Sequence, residues 1–295
     1  RAHNWHCFDR IDRRMPYAVI YTSLGCPFRC SFCCINALFG KSGIRYRSGA
    51  SVMAEIDLLV KDYGVRNIKV IDELFVLKRD RVEEICDLLI GRGYDLNFWV
   101  YARVDTVEPA LLKKMKRAGF NWLAYGFESA SKKVRDGVSK RSSDEQTDQA
   151  IRWTREAGIN IIANFIFGLP DDDHETMGET LAMAKRHNFE FVNFYCAMAY
   201  PGSQLYDQAL AEGWPLPQRW HGYSQLGEET LPLPTKHLSA AEVLRFRDRA
   251  FEDYFGDERY QQMILARFGP EALAHIRAML EYKMVRKHAP SAGGV

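Results

Sequence analysis

Three of the seven cysteines lie within eight residues, in the stretch Cys26-Pro27-Phe28-Arg29-Cys30-Ser31-Phe32-Cys33. A loop this short brings Cys26, Cys30 and Cys33 to one pocket, and thiolates are ligands for soft metals and iron–sulfur clusters. Four-iron clusters and structural zinc sites normally take four protein ligands. Here a fourth is missing, because Cys34 follows Cys33 directly and successive side chains point apart. Three ligands leave one coordination position open, as expected where the metal must bind a cofactor or substrate. A zinc knuckle with a distant fourth ligand is the competing reading, and the spacing favours the cluster. His3, His6 and Cys7 could also ligate, but they read better as part of a packed N-terminal segment.

The loop must be held by the elements around it. It closes an apolar run that starts after Pro16, Tyr17 to Gly25. Beyond the basic loop Lys41–Arg47, helical and strand patterns alternate. Expected strands are Val65–Ile71, Leu96–Ala102, Phe120–Phe127, Ile159–Phe167 and Phe189–Ala199. The near-continuous apolar character of Ile159–Phe167 suits a buried parallel strand. Gly64, Gly93, Gly119 and Gly158 each precede an apolar residue, as where a left-handed cap turns a helix into the next strand. Asp80 with Glu83, Ser143 with Gln146, and Ser239 with Glu242 have capping-box spacing, and Thr106 and Asp173 are further helix starts.

Strand–helix repeats of roughly 30–40 residues imply successive crossovers and a parallel sheet, open barrel or doubly wound. The strand ends favour a barrel, whose active sites lie at the carboxyl ends of its strands. Those ends carry Cys26, Asp72-Glu73, Arg103, Glu128-Ser129, Gly168 and Tyr200-Pro201-Gly202. The expected fold class is therefore α/β, a partial (β/α)6 TIM-like barrel over residues 16–213. Residues 1–15 lead into it. Residues 214–295 form a proline-rich loop and a helical C-terminal extension, with a last helix from Pro270 to about Val285 and a loose tail.

The chain has 295 residues, 47% hydrophobic and 26% charged, which is enough for a large core. A net charge of +2 gives no reason to expect a nucleic-acid partner. No apolar stretch approaches the roughly 20 residues of a membrane span. Clustered rather than dispersed cysteines point to a reducing, cytoplasmic setting. The chain opens at Arg1 rather than methionine, which leaves open whether a further domain precedes it.

Cys-x3-Cys-x2-Cys with Phe32 before the last cysteine resembles the signature of the radical S-adenosylmethionine (radical SAM) enzymes. The likeness extends from about Pro16 to Tyr254. It implies a 4Fe-4S cluster on Cys26, Cys30 and Cys33, with the amino and carboxylate groups of SAM chelating the fourth iron. One electron would then cleave the sulfonium to methionine and a 5′-deoxyadenosyl radical. Asp72-Glu73-Leu74-Phe75 matches the motif whose acid holds the SAM amino group, which assigns Glu73. Gly126-Phe127-Glu128-Ser129 matches the Gly-x-Glu-Ser segment, so Glu128 would bind ribose. Ile166-Phe167-Gly168-Leu169-Pro170 resembles the segment that packs the adenine. Arg103 would meet the SAM carboxylate or pair with Asp105, and the backbone of Phe32 would touch adenine.

The surrounding wording is similar to cobalamin-binding members, which include methyltransferases and the anaerobic ring cyclase of chlorophyll synthesis. Their cobalamin domain precedes the barrel and often carries Asp-x-His-x-x-Gly. Asp172-Asp173-His174-Glu175-Thr176-Met177-Gly178 misses that pattern by one residue. Cobalamin would therefore come through a domain outside this chain, or not be used. The resemblance implies a small-molecule substrate modified at an unactivated carbon, and an external one-electron reductant of flavodoxin or ferredoxin type. No catalytic base is identifiable. An iron–sulfur electron carrier without SAM chemistry is the alternative function. Methylthiotransferases are a rival subclass, with a second cysteine-rich domain and commonly an RNA-binding domain that this sequence does not display.

Overall fold

The computed structural model describes Phe8 and residues 14–289; the His3, His6 and Cys7 pattern and the tail after Ala289 lie outside the described residues. In chain order the elements are β1 (Tyr17–Ile20), β2 (Ser23–Leu24), α1 (Ile35–Phe39), β3 (Arg45–Tyr46), α2 (Gly49–Tyr63), β4 (Asn67–Val70), α3 (Arg79–Arg92), β5 (Asn97–Ala102), α4 (Pro109–Arg117) and β6 (Phe120–Glu128). They continue with α5 (Lys132–Gly137), α6 (Asp144–Glu156), β7 (Asn160–Phe167), α7 (His174–His187), β8 (Phe191–Cys196), α8 (Gln204–Ala211), α9 (Ala240–Phe255), α10 (Glu258–Phe268) and α11 (Pro270–Glu281). Six strands share one sheet, in the order β1-β4-β5-β6-β7-β8. The pairs β1–β4, β4–β5 and β5–β6 are all parallel, as helical crossovers require.

Two compact units divide the chain. The first comprises residues 1–27, 42–127 and 143–163. Its core is built on one sheet face, where Ile20, Ile68, Val70, Phe98 and Val100 are at most 3% exposed. Each such side chain contributes about 1.5–3 kcal/mol on burial. Phe98 stacks on Phe120 at 4.7 Å between centroids. The expected glycine junctions are present, with positive φ at Gly64, Gly93, Gly119 and Gly158. The Ser143–Gln146 capping box forms at the start of α6.

Two expected helix starts in this unit are corrected. The N-cap of α3 is Lys78, and Asp80 lies inside the first turn. Glu83 is taken by Arg79, one turn back at 2.7 Å, and so does not close a box with Asp80. Thr106 does not cap α4; it sits in a short 3-10 turn, Val104–Thr106, and exchanges hydrogen bonds with the Arg103 backbone. Pro109 starts α4 instead, its fixed φ suiting the first helical position. The first apolar run is also two strands, because Ser23–Leu24 leaves the sheet to pair antiparallel with Arg45–Tyr46.

The second unit comprises residues 28–41, 128–142 and 164–295. Asp173 caps α7 and Ser239 caps α9, both with closed boxes. The region after Cys196 holds more helix than periodicity suggested, since α8 and α10 were not expected. The last helix ends at Glu281 rather than near Val285. Arg286 ties down the segment after it. It donates to Asp248 at 2.8 Å, to the Gly227 carbonyl at 2.8 Å and to Thr230 Oγ1 at 2.9 Å.

Candidate active site

In the first unit, the site begins where β1 and β4 end. Asp72 is fully buried and accepts from Thr22 N–H at 2.6 Å, Thr22 Oγ1 at 2.5 Å and Ser23 Oγ at 2.6 Å. Arg81 donates to the Thr22 carbonyl at 2.7 Å and lies 4.9 Å over the Tyr46 ring. Burial pulls the Arg81 guanidinium below its ordinary value, with Asp72 opposing. Asp72 is thus an anchor for the segment entering the cysteine loop. The adjacent Glu73 is half-buried and accepts from Gly25 N–H at 2.9 Å, one residue before Cys26. Gly25 has φ 92°, a conformation glycine adopts without strain. Cys26 is fixed on its other side by Gly43 N–H, which donates to the Cys26 carbonyl at 3.1 Å. Arg103 is buried and forms a two-pronged pair with Asp105, both bonds at 2.9 Å, which is the second of its two expected roles.

In the second unit, the loop through Cys30 and Cys33 is clamped from three sides. Ser31 N–H donates to the Val138 carbonyl, and the Ser31 carbonyl accepts from Leu205 N–H, both at 3.0 Å. Asn36 Nδ2 donates to the Phe28 carbonyl at 2.8 Å. The Cys30 thiol lies 3.9 Å from the Ser139 carbonyl. Phe32 is the pin between the two ligands. Its ring packs against Val134, Val138, Leu169 and Ala197, and against Ala199, Leu205, Ala209 and Leu233. Its side chain therefore fixes the loop, whatever its backbone contacts.

Glu128 has φ 65°, rare for a residue with a side chain, and is 6% exposed. Lys140 donates to Glu128 Oε1 at 2.8 Å, in a pair buried on both sides. Sequence reading missed Lys140, because pairing across twelve residues of loop leaves no periodic signal. Ser129 is 1% exposed and bonds Thr180 Oγ1 at 3.2 Å and Ser131 N–H at 3.1 Å, a structural role within its turn. Gly168 has φ 81°. Its N–H and that of Leu169 both donate to Asp172 Oδ2 at 3.0 Å, while Thr176 Oγ1 donates to Asp172 Oδ1 at 2.8 Å. Burial raises the Asp172 carboxyl to about 6, against the lowering effect of those three donors. The role of Asp172 was also missed, since the residue was read only as the first of a near-match to the Asp-x-His-x-x-Gly pattern.

The remaining thiols are poor candidates for chemistry. Burial pushes Cys86 and Cys196 each up to about 12, and thiolate is the reactive form. Gln225 closes over Cys196, accepting from its N–H at 2.8 Å and donating to its carbonyl at 2.9 Å. Cys26 and Cys30 are half-buried and Cys33 is exposed, with no disulfide among them. Among the described residues, no group of three His, Cys, Asp or Glu side chains is close enough to hold a single metal ion. A four-iron cluster takes each thiolate on a different iron and so does not need the three sulfurs to meet at one ion. The donor set, three accessible cysteines within eight residues of sequence, fits the cluster.

A profile of the radical SAM superfamily matches residues 20–184, more than half of the chain. The chain belongs to the radical SAM superfamily. Membership implies a 4Fe-4S cluster and SAM as cofactors. An uncharacterised methyltransferase of Pyrococcus horikoshii is 28% identical over 241 residues, 82% of this chain and 52% of the relative. The anaerobic magnesium-protoporphyrin IX monomethyl ester cyclase of Rubrivivax gelatinosus is 30% identical over 206 residues, 69% of this chain and 37% of the relative. The chain thus spans about half or less of the length of these two relatives. The radical SAM methyltransferase TsrM of Kitasatospora setae, solved with cobalamin and a [4Fe-4S] cluster, superposes with a TM-score of 0.61 at 20% identity. That match covers 68% of this chain and 38% of TsrM. The shared fold is the partial (β/α)6 barrel expected from the strand–helix repeats.

Proposed function

We propose that the protein is a radical SAM enzyme that modifies an unactivated carbon of a small molecule, by methylation, cyclisation or a related functionalisation. The observation that carries this reading is the bond from Gly25 N–H to Glu73, which puts a strand-end carboxylate one residue from the first cysteine. Cys26, Cys30 and Cys33 hold the 4Fe-4S cluster, which when bound supplies the electron for reductive cleavage of the SAM sulfonium. Glu73 receives the SAM amino group, and Glu128, held by Lys140, the ribose hydroxyls. Gly168 and the Phe32 backbone line the adenine, and Ser129 shapes the turn that carries Glu128. Arg103, already paired with Asp105, acts on the SAM carboxylate only if that pair opens. Residues 16–213 form the catalytic barrel, with 1–15 leading in and 214–295 as an extension. Among the described residues no helix is long and apolar enough to cross a membrane. The protein works in the cytoplasm and takes its electron from a flavodoxin or ferredoxin. The cobalamin bound in TsrM supports a cobalamin-dependent route, through a domain outside this chain.

The test is anaerobic reconstitution with iron and sulfide, then SAM and dithionite. The reduced cluster's paramagnetic spectrum should change on adding SAM, and 5′-deoxyadenosine or S-adenosylhomocysteine should form. Cys30→Ala should abolish both. An iron-loaded protein whose spectrum ignores SAM, and which yields neither product, overturns the reading in favour of an electron carrier.

A further inference from the structure

In the first unit, the chain entering the cysteine loop is held by a buried guanidinium. The β1–β4 ladder ends at the bond from Ile71 N–H to the Ile20 carbonyl, 3.0 Å. Past that point the Thr22 N–H turns to the Asp72 side chain. Every polar group of Thr22 is then engaged. Its N–H and Oγ1 donate to Asp72, and its carbonyl accepts from Arg47 N–H at 2.9 Å and from Arg81 Nη2 at 2.7 Å. Next come β2 and β3, which pair Ser23 with Tyr46 and Leu24 with Arg45. Residues 25–44 between them contain Cys26, Cys30 and Cys33. Arg81 reaches both sides of this clasp from the first turn of α3. It is 6% exposed, bonds Thr22 ahead of β2, and lies 4.9 Å over the Tyr46 ring of β3, with the Phe75 ring at 5.9 Å. Among the described residues, Arg81 Nε and Nη1 meet no hydrogen-bond acceptor. The faces of two rings hold the guanidinium instead, which its planar, weakly hydrated group allows.

We propose that Arg81 is a positioning residue for SAM: by locking Thr22 against Asp72, it sets where the neighbouring Glu73 carboxylate stands relative to Cys26. The role rests on the radical SAM reading, in which Glu73 receives the SAM amino group. Asp72 and Glu73 are consecutive, and both end on one short stretch of chain. Asp72 holds Thr22 and Ser23, and Glu73 accepts from Gly25 N–H at 2.9 Å. With Thr22 fixed, little chain is left before Gly25 and Cys26, so the Glu73 carboxylate and the first cysteine share one frame. A charge-assisted hydrogen bond depends steeply on distance and angle. Freeing Thr22 therefore weakens the hold of Glu73 on an amino group without removing any of the three cysteines.

The test is a double-mutant cycle on the anaerobically reconstituted full chain, reading bound iron and the Kd for SAM by equilibrium dialysis. Arg81→Met should keep the wild-type iron content and weaken SAM binding by about tenfold. Glu73→Gln should cost a similar factor. The two changes together should lose little beyond either alone, because both act through one carboxylate. Losses that multiply, SAM affinity unchanged in Arg81→Met, or iron lost together with SAM overturns the proposal. Should Arg81→Met fail to fold, Tyr46→Leu, at a half-buried position, withdraws one ring from the guanidinium and runs the same cycle with a loss of about threefold. A second readout needs neither cluster nor SAM. In the unloaded chain, amide exchange at Thr22 and Gly25, followed by NMR, should quicken by at least about tenfold in Arg81→Met while α6 stays protected. Unchanged exchange at both amides also overturns the proposal. A wild type that loads iron but does not bind SAM removes the radical SAM reading and this proposal with it, whereas a wild type that binds SAM as tightly as Arg81→Met does removes this proposal alone.

Discussion

Glu128 shows how one residue can be fixed by several forces at once. Its backbone is in the left-handed region, and its carboxylate is buried against one ammonium, that of Lys140. Removing one partner of a buried pair leaves an uncompensated charge, whereas removing both costs far less. Lys140→Met should therefore destabilise the protein by about 3–5 kcal/mol in urea unfolding, and Lys140→Met with Glu128→Gln should recover most of the loss. Equal stability of the single and double variants would exclude this account. Asp172 makes a pH prediction. Its carboxyl stands at about 6 in the folded chain against an ordinary 3.8. The native state thus holds a proton that the unfolded chain has lost between those values. Stability should fall as pH rises from about 4 to about 6, by at most about 3 kcal/mol, and be flat above. Asp172→Asn keeps an acceptor for Gly168 and Leu169 and should flatten that slope, measured as urea midpoints at pH 4.5 and 7.5.

At the scale of elements, strand ends here are shaped by what they pack on. Gly168 follows β7, and a Cβ there would lie 2.4 Å from Val243 Cγ1 of α9 at a backbone φ of 81°. Both sterics and conformation oppose any side chain. Gly168→Ala should cost more than about 1 kcal/mol, and Val243→Ala in the same chain should relieve the steric share but not the conformational one. Thermal midpoints of the two single variants and the double variant separate the shares. The row of capped helices also explains the precision of the turns. Ser143, Asp173, Ser203 and Ser239 each accept an N–H of the first helical turn, so each helix starts at a fixed residue relative to the strand before it.

For the molecule as a whole, the second unit depends on its own C-terminal segment. Arg286 links Asp248 of α9 to the carbonyl of Gly227 and the hydroxyl of Thr230, and Arg247 shares Asp248 while donating to the Phe194 carbonyl of β8. Gln225 in the same proline-rich stretch clamps Cys196 at the end of β8. One guanidinium therefore holds a segment with no regular hydrogen-bond ladder of its own. Arg286→Met should raise amide exchange across residues 224–230 by at least about tenfold, while leaving α6 in the first unit unchanged. Uniform protection in both segments would refute the role.

The cysteine spacing, the Asp72-Glu73 and Glu128-Ser129 strand ends, and the parallel barrel class were all legible in the residues, because each rests on local periodicity or on spacing within one loop. So were the caps at Ser143, Asp173 and Ser239, which need only three residues of sequence. What the sequence did not hold was anything depending on contacts far apart along the chain. Lys140 beside Glu128 and Arg286 over Gln225 are such partnerships, whereas Arg79 drawing Glu83 away from Asp80, Pro109 overriding Thr106 and Asp172 under Gly168 are short-range competitions between alternatives that the residues offered equally. Asp72 and Glu73 make the division plain. They are neighbours with the same charge and adjacent positions in one motif, yet burial makes Asp72 an anchor for Thr22 and Ser23, while Glu73 turns to Gly25 beside the first cysteine. Residue type determined that both would be acids at a strand end; only the fold decided which one was buried.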